Sequence, residues 1–165
     1  PQQKTEKSLK IGKMRGKIQL DIASGIIEEA VPVKLKKIRY KDQPLLGSDF
    51  SILSYPAELI FAEKLQIALA RAENNTRMRD YYDMYRLLNN QLDLNLLQTC
   101  LISIFAKRNT VLPNKVNFTE NNISILQSYW QAYLQKSKLK DVPKDISEVI
   151  NFINQHLIKI INHEH

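Results

Sequence analysis

The sequence predicts an α+β protein: a short N-terminal β segment followed by a helical bundle of about five helices. Three observations carry that prediction. Aliphatic and polar residues alternate in KIQLDIA (Lys17 to Ala23), with Ile18, Leu20 and Ile22 on one face and Lys17, Gln19 and Asp21 on the other. That period of two marks a half-buried strand. From Ala57 onward, apolar residues recur instead at helical spacing, and Gly12, Gly16 and Gly25 fall in the earlier region, where they read as turn residues.

Along the chain, AVPVKLKKIRY repeats a weaker alternation and is expected to pair with the strand at residues 17–23 or lie beside it. Pro44 and Pro56 are expected to limit regular structure in the extended stretch between them. Pro56 then suits the first turn of a helix over PAELIFAEKLQIALARA, in which Leu59, Ile60, Phe61, Leu65, Ile67 and Leu69 surround a largely buried axis. The polar ENNT breaks it, with Asn75 or Thr76 as N-cap of a second helix from about Arg79 to Leu88. Further helices follow at about Leu94 to Lys107, Ile123 to Leu134 and Ile146 to Ile161. The expected units are residues 1–55, a sheet region, and 56–165, a helical domain.

The totals narrow the function. With 165 residues, 44% hydrophobic and 25% charged, the chain suits one domain or two small units, each with a core. A formal net charge of +7 fits RNA, DNA or nucleotide phosphates as partners, and equally a solvated basic surface. The single cysteine, Cys100, excludes a disulfide framework and a cysteine zinc site, and its place in LNLLQTCLISIF reads as a small buried hydrophobe. No apolar run approaches the ~18 residues of a membrane span, and PQQKTEKSLK lacks a signal-peptide core. A cytoplasmic protein is expected.

Three places offer chemistry. Asp21 is a carboxylate on a strand, a placement that can hold Mg²⁺ through hard oxygen ligands, or simply face water. Lys64, in FAEKLQI, puts a compact cation at the core rim, where it suits a phosphate or snorkels to solvent. RMRDYYD (Arg77 to Asp83) concentrates Arg, Asp and Tyr, and Asp80 and Asp83, three apart, share a helix face near its N-terminus. Acidic residues there complement the helix dipole, which accounts for the aspartates but not for the whole cluster. HEH at the end of the chain reads as a frayed tail, and QSYWQAYLQKSKL as core with a basic outer face.

IQLDIASG, LSYPAELIFAEKLQIALA, TRMRDYYDMYRLL, LISIFAKRNTVLP and YWQAYLQKSKL resemble, in order and spacing, the later part of the AbiEii-type nucleotidyltransferase toxins. That family is polymerase-β-like and serves abortive-infection and toxin–antitoxin systems; some relatives add nucleotides to tRNA. The resemblance implies that residues 1–55 are a remnant of a nucleotidyltransferase sheet. It implies Asp21 as a metal-binding carboxylate for Mg²⁺, and Lys64 as the active-site lysine reaching the phosphates of an NTP, with Arg79 as a second nucleotide-binding cation. Asp80 would position the lysine or an attacking group, with Asp83 the alternative for that role. Asp21, Lys64 and Asp80 are therefore expected to face one cleft.

The family opens with a helix, a Gly-Gly or Gly-Ser loop and an Asp-x-Asp pair, and these 165 residues contain none of them. Gly25-Ile26 also stands where relatives often have Gly-Asp. The expectation is thus an incomplete and inactive portion of a toxin that transfers a nucleotide to an acceptor such as tRNA, and that binds a cognate antitoxin. The alternative is a non-enzymatic helical module that binds an antitoxin or RNA. A DNA-binding regulator fits less well, because no recognition helix with a paired basic face stands out.

Overall fold

The computed structural model describes residues 2–11, 14–23, 31–34, 39–40, 43–44 and 51–162. The chain divides into two compact units, Pro1–Ser54 and Tyr55–His165.

The first unit contains six strands among its described residues, paired as three two-stranded antiparallel ladders. β1 (Gln2–Ile11) runs against β2 (Met14–Ala23), in register from Gln2 opposite Ala23 to Ile11 opposite Met14. β3 (Val31–Lys34) pairs with β6 (Ser51–Ser54), and β4 (Arg39–Tyr40) with β5 (Gln43–Pro44).

Three expectations are corrected here. The strand at residues 17–23 pairs with β1, not with residues 31–40, because a neighbour two residues away in sequence closes a ladder at the smallest loop entropy. Gly16 lies inside β2, opposite Leu9, and is not a turn residue. β6 forms between Pro44 and Pro56, since prolines outside the segment leave its own N–H groups free to pair. Pro32 of β3 is exposed, in keeping with a residue that has no N–H to give to a second neighbour.

The second unit is helical: α1 (Ala57–Arg71), α2 (Met78–Leu88), α3 (Leu94–Lys107), α4 (Glu120–Ser137) and α5 (Ile146–Ile161). Pro56 stands at the N-cap of α1, with φ already near the helical value. Asp93 caps α3 by accepting from the N–H groups of Asn95 and Leu96, and Asp145 caps α5 through Ser147. Thr119 and Asn122 form a reciprocal capping box, which starts α4 at Glu120, three residues before the apolar periodicity begins. One core joins all five helices. Phe61 and Leu65 of α1, Tyr81 and Met84 of α2, Leu97 and Leu101 of α3, Leu126 and Trp130 of α4, and Ile153 and Leu157 of α5 are fully buried in it. Cys100 is only half-buried and packs against the edge of this core, on the flank of α3 beside the buried Leu97, Leu101 and Ile104.

Side chains of the helices also tie down the connecting backbone. Asn154 of α5 accepts from the Val116 N–H at 2.7 Å and donates to the Val116 carbonyl at 3.0 Å, both in the interior. It thereby satisfies a buried peptide with no helix or strand partner. Asn154→Leu strands both groups, and a stability loss of about 3 kcal/mol is expected in urea unfolding. An unchanged midpoint would show that the long α3–α4 connection is held by other contacts.

Candidate functional site

α2 is short, and its faces are assigned by the helical period. Met78, Tyr81, Met84 and Leu88 point into the core. Turning by about 100° per residue, Asp80 and Asp83 come to lie together on the flank beside α1. There Lys64 Nζ donates to Asp80 Oδ1 at 2.8 Å and pairs with Asp83 Oδ2 at 2.8 Å. The aspartates three residues apart thus grip one ammonium between them.

Their surroundings differ. The Asp80 side chain is 3% exposed, that of Lys64 19% and that of Asp83 27%. Arg77 Nε stands 3.1 Å from Asp80 Oδ2, and Arg79 Nε 3.7 Å from Asp83 Oδ2, while both guanidinium groups reach solvent. Asp80 Oδ2 is fully enclosed and accepts no hydrogen bond of good geometry, so the Arg77 contact is ionic. Together with Thr76, Met78 and Tyr133, these five charged residues line a cleft of about 440 Å³, where three cations face two carboxylates.

Burial alone would lower the Lys64 pKa. The hydrogen bonds and charges of Asp80 and Asp83 outweigh it and hold the ammonium above its ordinary value of 10.5. Lys64 is therefore a cation at neutral pH, not a base. On the core side, burial pushes the Tyr81 phenol up to about 12, with the Asn75 side chain opposing the rise and the charge of Asp80 adding to it. The Asn75 amide and the Tyr81 hydroxyl form no hydrogen bond of good geometry, so Asn75 acts as a nearby dipole.

Lys64, Asp80, Asp83 and Arg79 line one cleft, and Lys64 is held in an ion pair and does not snorkel to solvent. Asp21 lies in the other unit, on β2, in register opposite Lys4. The expected N-cap is corrected: Arg77 holds that position with no side-chain cap, because Asn75 is buried and its Oδ1 accepts from the Arg77 N–H at 3.1 Å. Thr76, Met78 and Tyr133 join the cleft without having been singled out for it. Trp130 takes the buried position of α4, which leaves Tyr133, three residues on, at the flank where helical spacing puts it. Glu63 pairs loosely with Arg108 at 3.9 Å, across to the end of α3. His163 and His165 lie outside the described residues. Among those that are described, no three His, Cys, Asp or Glu are grouped to hold a metal ion.

Removing Lys64 leaves a buried carboxylate beside one exposed arginine. Lys64→Met is expected to cost about 3 kcal/mol in chemical unfolding. Asp83→Asn, at the more exposed partner, is expected to cost about 1 kcal/mol or less; equal losses would mean that Asp80 is not the buried anchor. The raised Lys64 and Tyr81 values set the pH dependence. A lysine raised on folding contributes stability that is complete below its ordinary 10.5 and is lost as pH rises through the folded value. A phenol raised from 10 to about 12 likewise keeps its proton longest in the folded chain, so it too loses stability across that interval. The melting temperature should fall above pH 10, and Tyr81→Phe should make that fall shallower.

The model of the family described as nucleotidyl transferase AbiEii toxin, of a type IV toxin–antitoxin system, matches residues 3–151. No curated protein and no solved structure matched the chain. A family match over most of the sequence, including the three helices that line the Lys64 cleft, makes the assignment direct: the chain belongs to the AbiEii nucleotidyl transferase toxins.

Proposed function

We propose that this chain serves nucleotidyl transfer in a toxin–antitoxin system, with the Lys64 cleft receiving the phosphates of an NTP. One observation carries the reading: Lys64 is held between Asp80 and Asp83 in a cleft rimmed by Arg77 and Arg79. Three cations at such a cleft fit a polyphosphate, and the family supplies the reaction class.

In that reaction an acceptor hydroxyl oxygen bonds to the α-phosphorus of the NTP. The bond to pyrophosphate breaks, pyrophosphate leaves, and the hydroxyl proton passes to solvent. Such chemistry depends chiefly on positioning and on cations placed where negative charge spreads. Lys64, a fixed ammonium, meets a phosphate oxygen. Two of its three N–H donors serve the carboxylates, which leaves one for the ligand. Arg79, the more exposed of the two guanidinium groups, adds a planar two-pronged donor. Asp80, enclosed beneath the lysine, is a positioning residue; Asp83, nearer solvent, is shared by Lys64 and Arg79.

The described residues do not group into a metal site, and Asp80 and Asp83 are already committed to Lys64. Asp21 is proposed as one oxygen ligand for Mg²⁺. The acceptor is proposed to be tRNA or another RNA, and the protein partner a cognate antitoxin. Among the described residues no helix is long and apolar enough to cross a membrane.

Calorimetric titration of the full chain with each of the four NTPs, with and without Mg²⁺, tests this reading. At least one NTP should bind. Arg79→Gln should weaken it about tenfold, the loss expected for one charge-assisted hydrogen bond, and Asp21→Asn should remove any dependence on magnesium. Absence of NTP binding in all eight titrations would overturn the reading in favour of a helical module that binds an antitoxin or RNA.

A further inference from the structure

Outside the Lys64 cleft, cations gather where α2 ends and the segment after α4 begins. Arg79, Tyr82 and Arg86 fall on one stripe of α2, at spacings of three and four residues, spanning about 10 Å of helix axis. Both arginines are exposed and Tyr82 is half-buried. At one end of the stripe, Arg79 lines the Lys64 cleft together with Tyr133. At the other, Tyr82 and Arg86 line a second hollow of about 240 Å³ with Lys138, Leu139, Lys140 and Asp141. The two hollows meet at an aromatic pair: the rings of Tyr82 and Tyr133 lie 6.2 Å apart, centre to centre, and inclined at 54°.

The simplest account of these cations is that they complement the carboxyl ends of helices. Arg86 stands in the last turn of α2, and Lys138 caps α4 in a left-handed conformation at φ 53°. That account covers each residue separately. It does not explain why cations from two elements converge on one hollow, with Asp141 as the only acid in its lining, or why two tyrosines join that hollow to the Lys64 cleft. Cations spaced along a face with aromatic rings between them are what single-stranded nucleic acid needs. The cations follow the backbone phosphates, and the rings receive unstacked bases with little regard to sequence.

We propose that the Arg79–Tyr82–Arg86 face of α2, with Tyr133, Lys138 and Lys140, is a track that binds a single-stranded polynucleotide and leads it to the Lys64 cleft. The hollow at Arg86, Lys138 and Lys140 holds a backbone phosphate, and Tyr82 and Tyr133 stack the bases that follow. This inference rests on the nucleotidyl-transfer reading for its direction, since the strand's end is thereby delivered to the cleft that receives the NTP. Its binding site, however, can be tested apart from that reading.

The test is fluorescence anisotropy of a labelled twelve-nucleotide oligouridylate with the full chain, at several salt concentrations. The Arg86→Gln/Lys140→Gln double variant should bind at least tenfold more weakly. Its slope of log affinity against log salt should be shallower by about 1.4, the value for two fewer phosphate contacts to a single strand. Its thermal unfolding should match the wild type, as both residues are exposed. Lys115→Gln/Lys159→Gln removes the same charge from exposed positions outside the stripe and should bind as the wild type does. Equal loss in both double variants would overturn the proposal by showing attraction to net charge alone. Equal displacement of the probe by polyglutamate and by unlabelled oligouridylate would overturn it too, by assigning the face to an acidic protein. A chain that binds NTP but not the oligonucleotide sinks the track alone. A chain that binds the oligonucleotide through Arg86 and Lys140 but no NTP keeps the track and sinks the nucleotidyl-transfer reading.

Discussion

Asp80 is an ionised side chain taken almost wholly out of water, and the helical unit is arranged around meeting that cost. An isolated carboxylate in such a place would lose several kcal/mol of hydration. Here it gains the ammonium of Lys64 at 2.8 Å, the guanidinium of Arg77 at 3.1 Å and a position in the first turn of α2, where the helix dipole favours negative charge. The lysine term acts only while α1 and α2 keep their relation, because Lys64 comes from one helix and both aspartates from the other. The ion pair therefore sets the wall-to-wall geometry of the cleft as well as filling it.

Around that pair, the connecting segments are fixed mainly by side chains that bond to backbone. Glu58 of α1 accepts the N–H of Asp93 and so holds the start of α3. Trp130 donates to the Pro143 carbonyl, and Gln127 both donates to Lys144 and accepts from Ile146. Three bonds from α4 thus anchor the end of the segment that carries Lys138 and Lys140. A buried tryptophan and its neighbour on the same helix face give a loop the definition that regular structure would otherwise supply.

The sequence disclosed the helical half well, because each helix there shows its buried face through apolar spacing. What periodicity could not reveal were bonds made by residues whose local role looked complete. Asn75 looks like an N-cap and instead turns inward beside Tyr81. Thr119 caps α4 ahead of any apolar residue that would announce the helix. Strand pairing was less legible still: alternation identifies a strand and its faces but says nothing of its partner, so the strand at Lys17 to Ala23 could be recognised while its ladder with Gln2–Ile11 could not. As for the site, Lys64, Asp80 and Asp83 were visible as residue types at a telling spacing. That two carboxylates share one lysine is a property of the packing of α1 on α2 and has no signature in either segment alone.

α2 shows how much a helix of 11 residues can carry when its circumference is divided. At about 100° per residue, Met78, Tyr81, Met84 and Leu88 occupy one sector and enter the core. Asp80 and Asp83 occupy the next and hold Lys64. Arg79, Tyr82 and Arg86 occupy the third, in which both arginines are exposed. The sectors share few contacts, so each presents its own chemistry: apolar packing, a buried ion pair and an exposed basic face. Asp83 couples the second sector to the third, since it pairs with Lys64 at 2.8 Å and stands 3.7 Å from Arg79. A phosphate drawn to Arg79 must compete with Asp83 for that guanidinium, and whatever weakens the Arg79 contact leaves Asp83 more fully to Lys64. Binding at the exposed face is thereby linked, through a single carboxylate, to the charge balance of the buried pair.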